Sequence, residues 1–322
     1  MAAVAYVRDF VTNLSPAEIC QLFYTLSAAT VLAVAAVPDA AQRLLTQYGA
    51  RSSHDTPASA AGETREGTNR GLDDINRGAF FHLVSGLTSI GMIPHSWFIH
   101  FYILSISCTV YWAVQFVYHG TVFEFIARKQ LSKSTPSMAL EQVVLVWFCM
   151  GLQGARRLYE HLVVLQSSSS RMWIVHWLLG MLSTYARVYQ SGLKELCSGS
   201  DCPDIGLPRP KVMIASFVFF VAWLMQYRCH RYLAGLKKYS LPDNGLFSYL
   251  VCPHYTCECL LYLSLAVMAA PQGQLYNRTV ICAMLFVMIN LGVTAHGTKS
   301  WYGEKFGSDR VQGKWRMIPI IF

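Results

Sequence analysis

The feature that most constrains this chain is a series of apolar blocks long enough, or nearly long enough, to cross a membrane. A bilayer's hydrocarbon core requires roughly 20 helical residues. Seven blocks approach that length: Ile19–Val37, Trp97–Tyr118, Met138–Leu152, Met172–Tyr189, Val212–Tyr227, Tyr255–Ala270 and Thr279–Ala295. Several are short or carry a polar residue, so the sequence predicts six to eight spans, with seven as the central count.

Composition supports membrane embedding over a large helical protein in water. The chain is 53% apolar and only 14% charged, whereas soluble domains average about 25% charged residues. Such a chain has too little polar surface to cover a globule. The first block follows Asp9 and Glu18 and lacks a basic leader, which favours a span over a signal peptide. The predicted fold is an all-α integral membrane bundle.

The basic residues indicate an orientation and not a nucleic-acid site. The net charge is +8, but its lysines and arginines are spread between apolar blocks. The larger share lies in the loops after the first, third and fifth spans and in the C-terminal tail. By the positive-inside rule those segments are cytosolic. The N-terminus is then lumenal, and the C-terminus is cytosolic.

Two regions are distinguished along the chain. Residues 1–96 hold the first transmembrane helix, a flexible cytosolic loop from Pro38 to Arg77 and a possible interfacial helix over Gly78–Pro94. Residues 97–322 form a six-helix membrane domain. Because the ten cysteines lack the clustered partners of a zinc site, no metal is predicted.

Chemistry is predicted where polar residues interrupt or end the spans. Motifs of soluble phosphate-binding and hydrolytic enzymes are missing, and ionisable groups at membrane depth are costly enough to suggest function. Arg156 and Glu160, like Arg157 and His161, lie four residues apart on one helix face. An ion pair at a cytosolic helix end is the simpler interpretation.

Three further polar clusters follow. Gln226, His230 and Lys237 recur at helical spacing as one stripe, which suits phosphate or ribose and equally suits anionic lipid. Pro253 begins a helix whose first turn could hold an anion, with His254 and Glu258 one turn apart. The C-terminal stretch from His296 combines basic and aromatic residues with an apolar end, Ile318–Phe322, which implies that the last residues are buried against something.

These motifs resemble the steroid 5-alpha-reductase family. The closing "WYGEKF … KWRMIPIIF" and the block "PDNGLFSYLVCPHYTCE" are similar to that family's signatures, while "ARRLYE" and "QYRCHRYLAGLKK" resemble its polyprenol (polyprenal) reductase branch. The match covers about Trp97–Phe322. His254 stands where the family has Asn. Lys299 replaces a usual His, and a His occurs instead at His296.

The resemblance implies a seven-helix reductase that binds NADPH from the cytosolic side of the endoplasmic reticulum membrane. Implied cofactor contacts are Arg157, Gln226, His230, Lys237, His254, Glu258, Tyr302, Lys305, Arg310 and Arg316. Candidate catalytic groups are His100 and Tyr102, from a "FIHFY" motif shared with the reductase branch, and His296. The polar and charged side chains from the last three spans and the terminal segment are expected to converge at the cytosolic edge of the membrane.

The implied reaction reduces the alpha-isoprene double bond of polyprenal or polyprenol, supplying dolichol for protein N-glycosylation. An α,β-unsaturated aldehyde is the favoured form, because its oxygen can take up the developing negative charge, and a general acid then protonates the α-carbon. The other interpretations are a 3-oxo-4-ene steroid reductase, an enoyl-CoA reductase, a membrane methyltransferase and a non-enzymatic seven-span protein.

Overall fold

The computed structural model describes residues 13–36, 92–131, 138, 140–164, 171–173, 210–237 and 240–322. Most of these residues are helical. The α-helices are α1 (Pro16–Ala35), α2 (Ile99–Val117), α3 (Thr121–Leu131), α4 (Leu140–Tyr159), α5 (Pro210–Gly235), α6 (Pro253–Met268), α7 (Arg278–Phe306) and α8 (Asp309–Gln312). Short 3-10 helices cover His95–Phe98 and Gly245–Ser248, and a π-helical turn, Glu160–Val164, continues α4.

Helix ends follow local chemistry. Ser15 caps α1 in a reciprocal capping box with Glu18, which satisfies two amides that the helix itself cannot pair. Pro253 begins α6, as the sequence predicts. Asn277 caps α7 by accepting hydrogen bonds from the Thr279 and Val280 amides.

Four of the predicted spans are confirmed as helices long and apolar enough to cross a membrane. Within the described residues they are Pro16–Ala35, Ser96–Val117, Pro210–Gly235 and Arg278–Phe306. The third and sixth predicted spans are also helical, as α4 and α6, but α4 ends in charged residues and α6 is only 16 residues long. Most of Met172–Tyr189 lies outside the described residues, so the count of seven stays a prediction.

Three features differ from the predictions. Residues 92–94 and 171–173 pair as antiparallel strands β1 and β2, although the sequence predicted an interfacial helix up to Pro94 and a span beginning at Met172. Helix α3, which was not predicted from the sequence, is amphipathic and buries Phe123, Ile126 and Ala127 against α2. Helix α7 continues to Phe306, well past the predicted end at Ala295. Residues 37–91, which include the predicted loop and most of the predicted interfacial helix, lie outside the described residues.

Packing is organised around α6. Its apolar side chains join those of α4 and α5 in a core that includes Cys149, Phe219, Leu261 and Met268. On another side, α6 and α7 enclose Tyr24 of α1, which is 1% exposed. These contacts bring the ends of α4, α5 and α7 to the start of α6.

A close approach of α2 and α4 depends on a glycine. A Cβ built at Gly154 would lie 3.0 Å from Ser105 Oγ and 3.6 Å from Ile106 Cγ1. Small residues at such crossings let membrane helices pack backbone to backbone.

We predict that Gly154→Leu forces α2 away from α4 and lowers the apparent Tm in detergent, because overpacking typically costs about 1–3 kcal/mol. Gly235→Leu is the matched control, since nothing lies within 4 Å of a Cβ at Gly235. Equal Tm values for the two variants would contradict this account of the crossing.

Candidate active site

Polar side chains gather at one end of the bundle, where α4 and α5 finish and α6 begins. The first turn of α2, which carries Tyr102, reaches the same place. Buried charge needs a partner in a low-dielectric interior, and this cluster supplies partners from four elements.

Arg156 is committed to holding α4 against α5. Its Nη1 donates to the Trp223 carbonyl and its Nη2 donates to the side-chain oxygens of Gln226 and Gln153. Its Nε lies 3.3 Å from Glu160 Oε1 in an ion pair, and the side chain is only 4% exposed. With these groups engaged, Arg156 is a structural residue.

Glu160 is the carboxylate at the centre of the cluster and is fully buried. Its Oε2 lies 2.5 Å from Arg157 Nη1 and 2.7 Å from His230 Nδ1. Since a carboxylate only accepts, His230 donates from Nδ1 and keeps Nε2 as its acceptor. The π-helical turn that begins at Glu160 belongs to a class of distortion found frequently at functional sites.

Arg157 joins this charge cluster to α2. Its Nη2 donates to Tyr102 Oη at 2.9 Å, and its guanidinium also lies 5.3 Å from the centre of the Tyr102 ring. His161 packs on the same ring at 5.7 Å. The Arg157 side chain is 22% exposed, in contrast to Arg156. It is therefore the arginine of this pair that a ligand can reach.

Glu258, partly buried on α6, accepts hydrogen bonds from two glutamine side chains. Gln226 Nε2 donates to Glu258 Oε2 at 2.5 Å and to the His254 carbonyl at 3.2 Å. Gln153 Nε2 lies 3.4 Å from the same carboxylate oxygen. Gln226 thereby connects the arginine side of the cluster to the first turn of α6.

His254 is left with an unsatisfied ring nitrogen. Its Nδ1 is buried and has no hydrogen-bond partner among the described residues. The ring lies 5.5 Å from that of His230, 4.3 Å from Tyr255 and 6.2 Å from Phe247. A buried polar atom without a partner is costly, which marks this position as a candidate ligand contact.

The residues from Lys314 to Phe322, here called the closing segment, are fastened beside the same turn of α6. A parallel bridge pairs Leu250 with Trp315, and Thr256 donates to the Met317 carbonyl. Lys314 Nζ donates to the Pro242 carbonyl at 3.0 Å. Partial burial, aided by Arg310 and opposed by Asp243, lowers the pKa of Lys314 below its ordinary value.

A second set of predicted site residues lies on α7, α8 and the closing segment. Tyr302 packs against a core of Val251, Cys252, Ala295 and Met317. Arg316 Nε donates to His296 Nδ1 at 3.1 Å, so a neutral His296 carries its hydrogen on Nε2. Lys305 lies over the Trp301 ring at 5.0 Å, and Arg310 is exposed.

The structure therefore divides the predicted residues into two neighbouring groups. The α4–α6 group contains Tyr102, Arg157, Gln226, His230, His254 and Glu258, and the tail group contains His296, Tyr302, Lys305, Arg310 and Arg316. Tyr255 joins them, because it touches the His254 ring and packs against the core that includes Tyr302.

The structure also places the two remaining predicted residues, Lys237 and His100. Lys237 is exposed beyond the end of α5 at Gly235, so the predicted helical stripe stops at His230. His100 packs against Trp97, with ring centres 5.4 Å apart.

Sequence reasoning missed Gln153 and Trp223 and understated Glu160. An uncharged amide near the end of an apolar span was a usable signal for Gln153, because an amide there also needs a partner. Nothing in the sequence indicated that the Trp223 carbonyl would accept from Arg156. That contact depends on the angle between two helices.

We predict that Glu160→Gln lowers the apparent Tm strongly, because breaking a buried ion pair leaves an uncompensated charge and costs about 3–5 kcal/mol. The control is Glu124→Gln, which removes an exposed pair with Arg128 at 3.0 Å worth about 0–1 kcal/mol. If both variants melt together in thermal scans, Glu160 does not organise the cluster.

Comparison with known proteins agrees with the resemblance found in the C-terminal motifs. A family model described as 3-oxo-5-alpha-steroid 4-dehydrogenase matches residues 180–322. That range includes α5, α6, α7 and the closing segment. Tyr102 and Arg157 lie outside it.

Among individual relatives, polyprenal reductase of Saccharomyces cerevisiae is 32% identical over 178 residues, covering 55% of this chain and 64% of the yeast protein. Polyprenal reductase of Caenorhabditis elegans is 26% identical over 236 residues, covering 66% of this chain and 75% of its own. Polyprenal reductase of Xenopus tropicalis is 35% identical over 115 residues, 33% of this chain and 36% of its own. The chain thus spans just under two thirds of the yeast relative's length.

The resemblance predicted from the sequence is therefore confirmed: residues 180–322 match the model of the 3-oxo-5-alpha-steroid 4-dehydrogenase family, and the chain is similar to polyprenal reductases, which are oxidoreductases.

Proposed function

We propose that this protein reduces the alpha-isoprene double bond of polyprenal with NADPH, and so supplies dolichol precursors for protein N-glycosylation. The observation that carries the proposal is the junction of Arg157, His230 and His254 with the closing segment, in a chain whose relatives are polyprenal reductases. We place it in the endoplasmic reticulum membrane, with a lumenal N-terminus and a cytosolic C-terminus.

The donor set fits an anionic dinucleotide. The first-turn amides of α6 present the positive end of a helix dipole, and the unpartnered Nδ1 of His254 lies in that turn. Arg157 and His230 would contact the cofactor on one side of α6. Tyr302, Lys305, Arg310 and Arg316 would contact it on the other. Lys237, exposed after α5, adds a cation at the same end of the bundle.

Gln226 and Glu258 have a different task in this proposal. Both are occupied by each other, and Gln226 also accepts from Arg156. We assign them to positioning the first turn of α6, and the remaining lone pairs of the Glu258 carboxylate are available to a ribose hydroxyl or the nicotinamide amide. The buried ion pairs of Glu160 with Arg156 and Arg157 support that turn through Gln226.

NADPH supplies the hydride that adds to the β-carbon of the unsaturated aldehyde. The chain's own groups manage the carbonyl and the proton. Because Tyr102 Oη accepts from Arg157, its hydroxyl hydrogen can be donated to the aldehyde oxygen, where charge develops. His100 lies within the same first turn of α2 and is proposed to help orient the aldehyde.

Protonation of the α-carbon requires a general acid with an accessible hydrogen. His296 offers one at Nε2, because its Nδ1 accepts from Arg316. The isoprenoid tail would extend along the exposed apolar faces of the spans, where side chains such as Val110 and Phe217 are exposed.

We predict that purified protein in nanodiscs oxidises NADPH with polyprenal and much more slowly with polyprenol, because the alcohol offers no carbonyl to stabilise the charge. A 3-oxo-4-ene steroid and an enoyl-CoA are the competing substrates in the same assay. Faster turnover of either would replace the proposed substrate. Binding of S-adenosylmethionine, or no cofactor binding at all, would reject the reductase.

We further predict that Arg157→Met weakens NADPH binding about 10- to 100-fold, the loss of one charge-assisted hydrogen bond of about 1.5–3 kcal/mol. Arg231→Met is the control, because Arg231 is exposed on α5 and lies 5.9 Å from the centre of the Tyr227 ring. Isothermal titration distinguishes the two. Unchanged affinity for Arg157→Met would remove Arg157 from the site.

A further inference from the structure

The closing segment folds back on itself in a tight turn, which places some of its apolar side chains inside the protein and leaves others exposed. The amides of Met317 and Ile318 both donate to the Phe322 main-chain oxygen at 3.0 Å, and the Phe322 amide donates to the Ile318 carbonyl at 2.9 Å. Met317 is fully buried, and Phe322 packs against the same core. The turn therefore holds its two ends inside the protein.

The tip of this turn points the other way. Ile320 is 81% exposed and Ile321 is 79% exposed, more than any other large apolar side chain that the structure describes. Ile320 also has a φ of 72°, a left-handed conformation that β-branched residues rarely adopt. The hydrogen bonds and the packed residues at both ends of the turn keep the two isoleucine side chains pointing outward, although the backbone conformation of Ile320 is unfavourable.

The position of the turn along α7 gives its depth. The Phe322 ring lies 3.6 Å from where a Cβ on Gly292 would be, and Gly292 is near the middle of α7. Helix α7 is one of the membrane-span candidates, and its 29 residues measure about 43 Å at 1.5 Å per residue. That exceeds the roughly 30 Å hydrocarbon core, so its midpoint lies at or inside the edge of that core.

The side chains around the turn match a membrane interface. Trp315 and Tyr249, paired through the bridge at Leu250, are 42% and 71% exposed. Aromatic rings of this kind collect at headgroup level. An exposed apolar tip beside exposed aromatic rings is the arrangement expected of a segment that enters the bilayer from the headgroup layer.

We propose that the closing segment is a membrane-dipping loop whose Ile320 and Ile321 insert into the acyl chains of the leaflet on that side. The occupant of this surface is phospholipid. The loop would anchor the tail group of residues beside α6 and fix its height relative to the bilayer. This inference depends on the membrane spans and the turn geometry, and it holds whether or not the chain reduces polyprenal.

The test places a small fluorescent noncanonical amino acid at position 320 in full-length protein, one copy per nanodisc, with a second variant at position 321. The control probe replaces Gln312, which is exposed on the adjacent α8. Acyl-chain-brominated phosphatidylcholine and aqueous iodide are the two quenchers. Size-exclusion profiles matching the unlabelled protein establish that each variant is folded.

Lipid insertion predicts that brominated lipid quenches the probes at 320 and 321 several-fold more than the probe at 312, and that iodide shows the opposite order. Iodide quenching at 320 equal to that at 312 would overturn the proposal, because the tip would then be in water. Protection of 320 from both quenchers would also overturn it, because protein or another ligand would then cover the turn.

Discussion

The buried carboxylate of Glu160 is the interaction on which the polar end of this bundle depends. Without it, Arg156 and Arg157 would be neighbouring cations with few ways to be neutralised in a poorly solvated site. With it, Arg156 holds α4 against α5, and Arg157 pairs with Glu160 and donates to Tyr102. A single acidic side chain thus creates both a rigid support and an accessible cation.

The first turn of α6 is the place where the residues of the proposed site meet. Gln226 donates to the His254 carbonyl in this turn, and His254 Nδ1 has no hydrogen-bond partner among the described residues. Tyr255, the next residue, packs against the same core as Tyr302. The closing segment lies alongside this turn through Thr256 and the bridge at Leu250. Residues separated by much of the sequence therefore meet around one helical turn, whose amides favour negative charge.

Hydropathy was sufficient to predict the four membrane-span candidates, because the thickness and polarity of a bilayer set the length and composition of such helices. Hydropathy did not predict α3, because only one face of this helix is apolar, and that face packs on α2. Spacing identified Arg157, His230 and Glu258 as unusual, since charge at depth requires a reason. It could not reveal that Arg156 reaches Trp223 or that α5 stops before Lys237, because these depend on helix crossing and termination.

The most direct measurement of the central claim is a cryo-electron microscopy map of the protein in nanodiscs with NADPH. Our account predicts dinucleotide density along the first turn of α6, with its phosphates near Arg157 and the basic side chains of the tail group, and with Glu160 still bridging Arg156 and His230. Density at the opposite end of the bundle, near Gln274 and Asn277, would contradict it, as would a bound cofactor with Glu160 detached from both arginines.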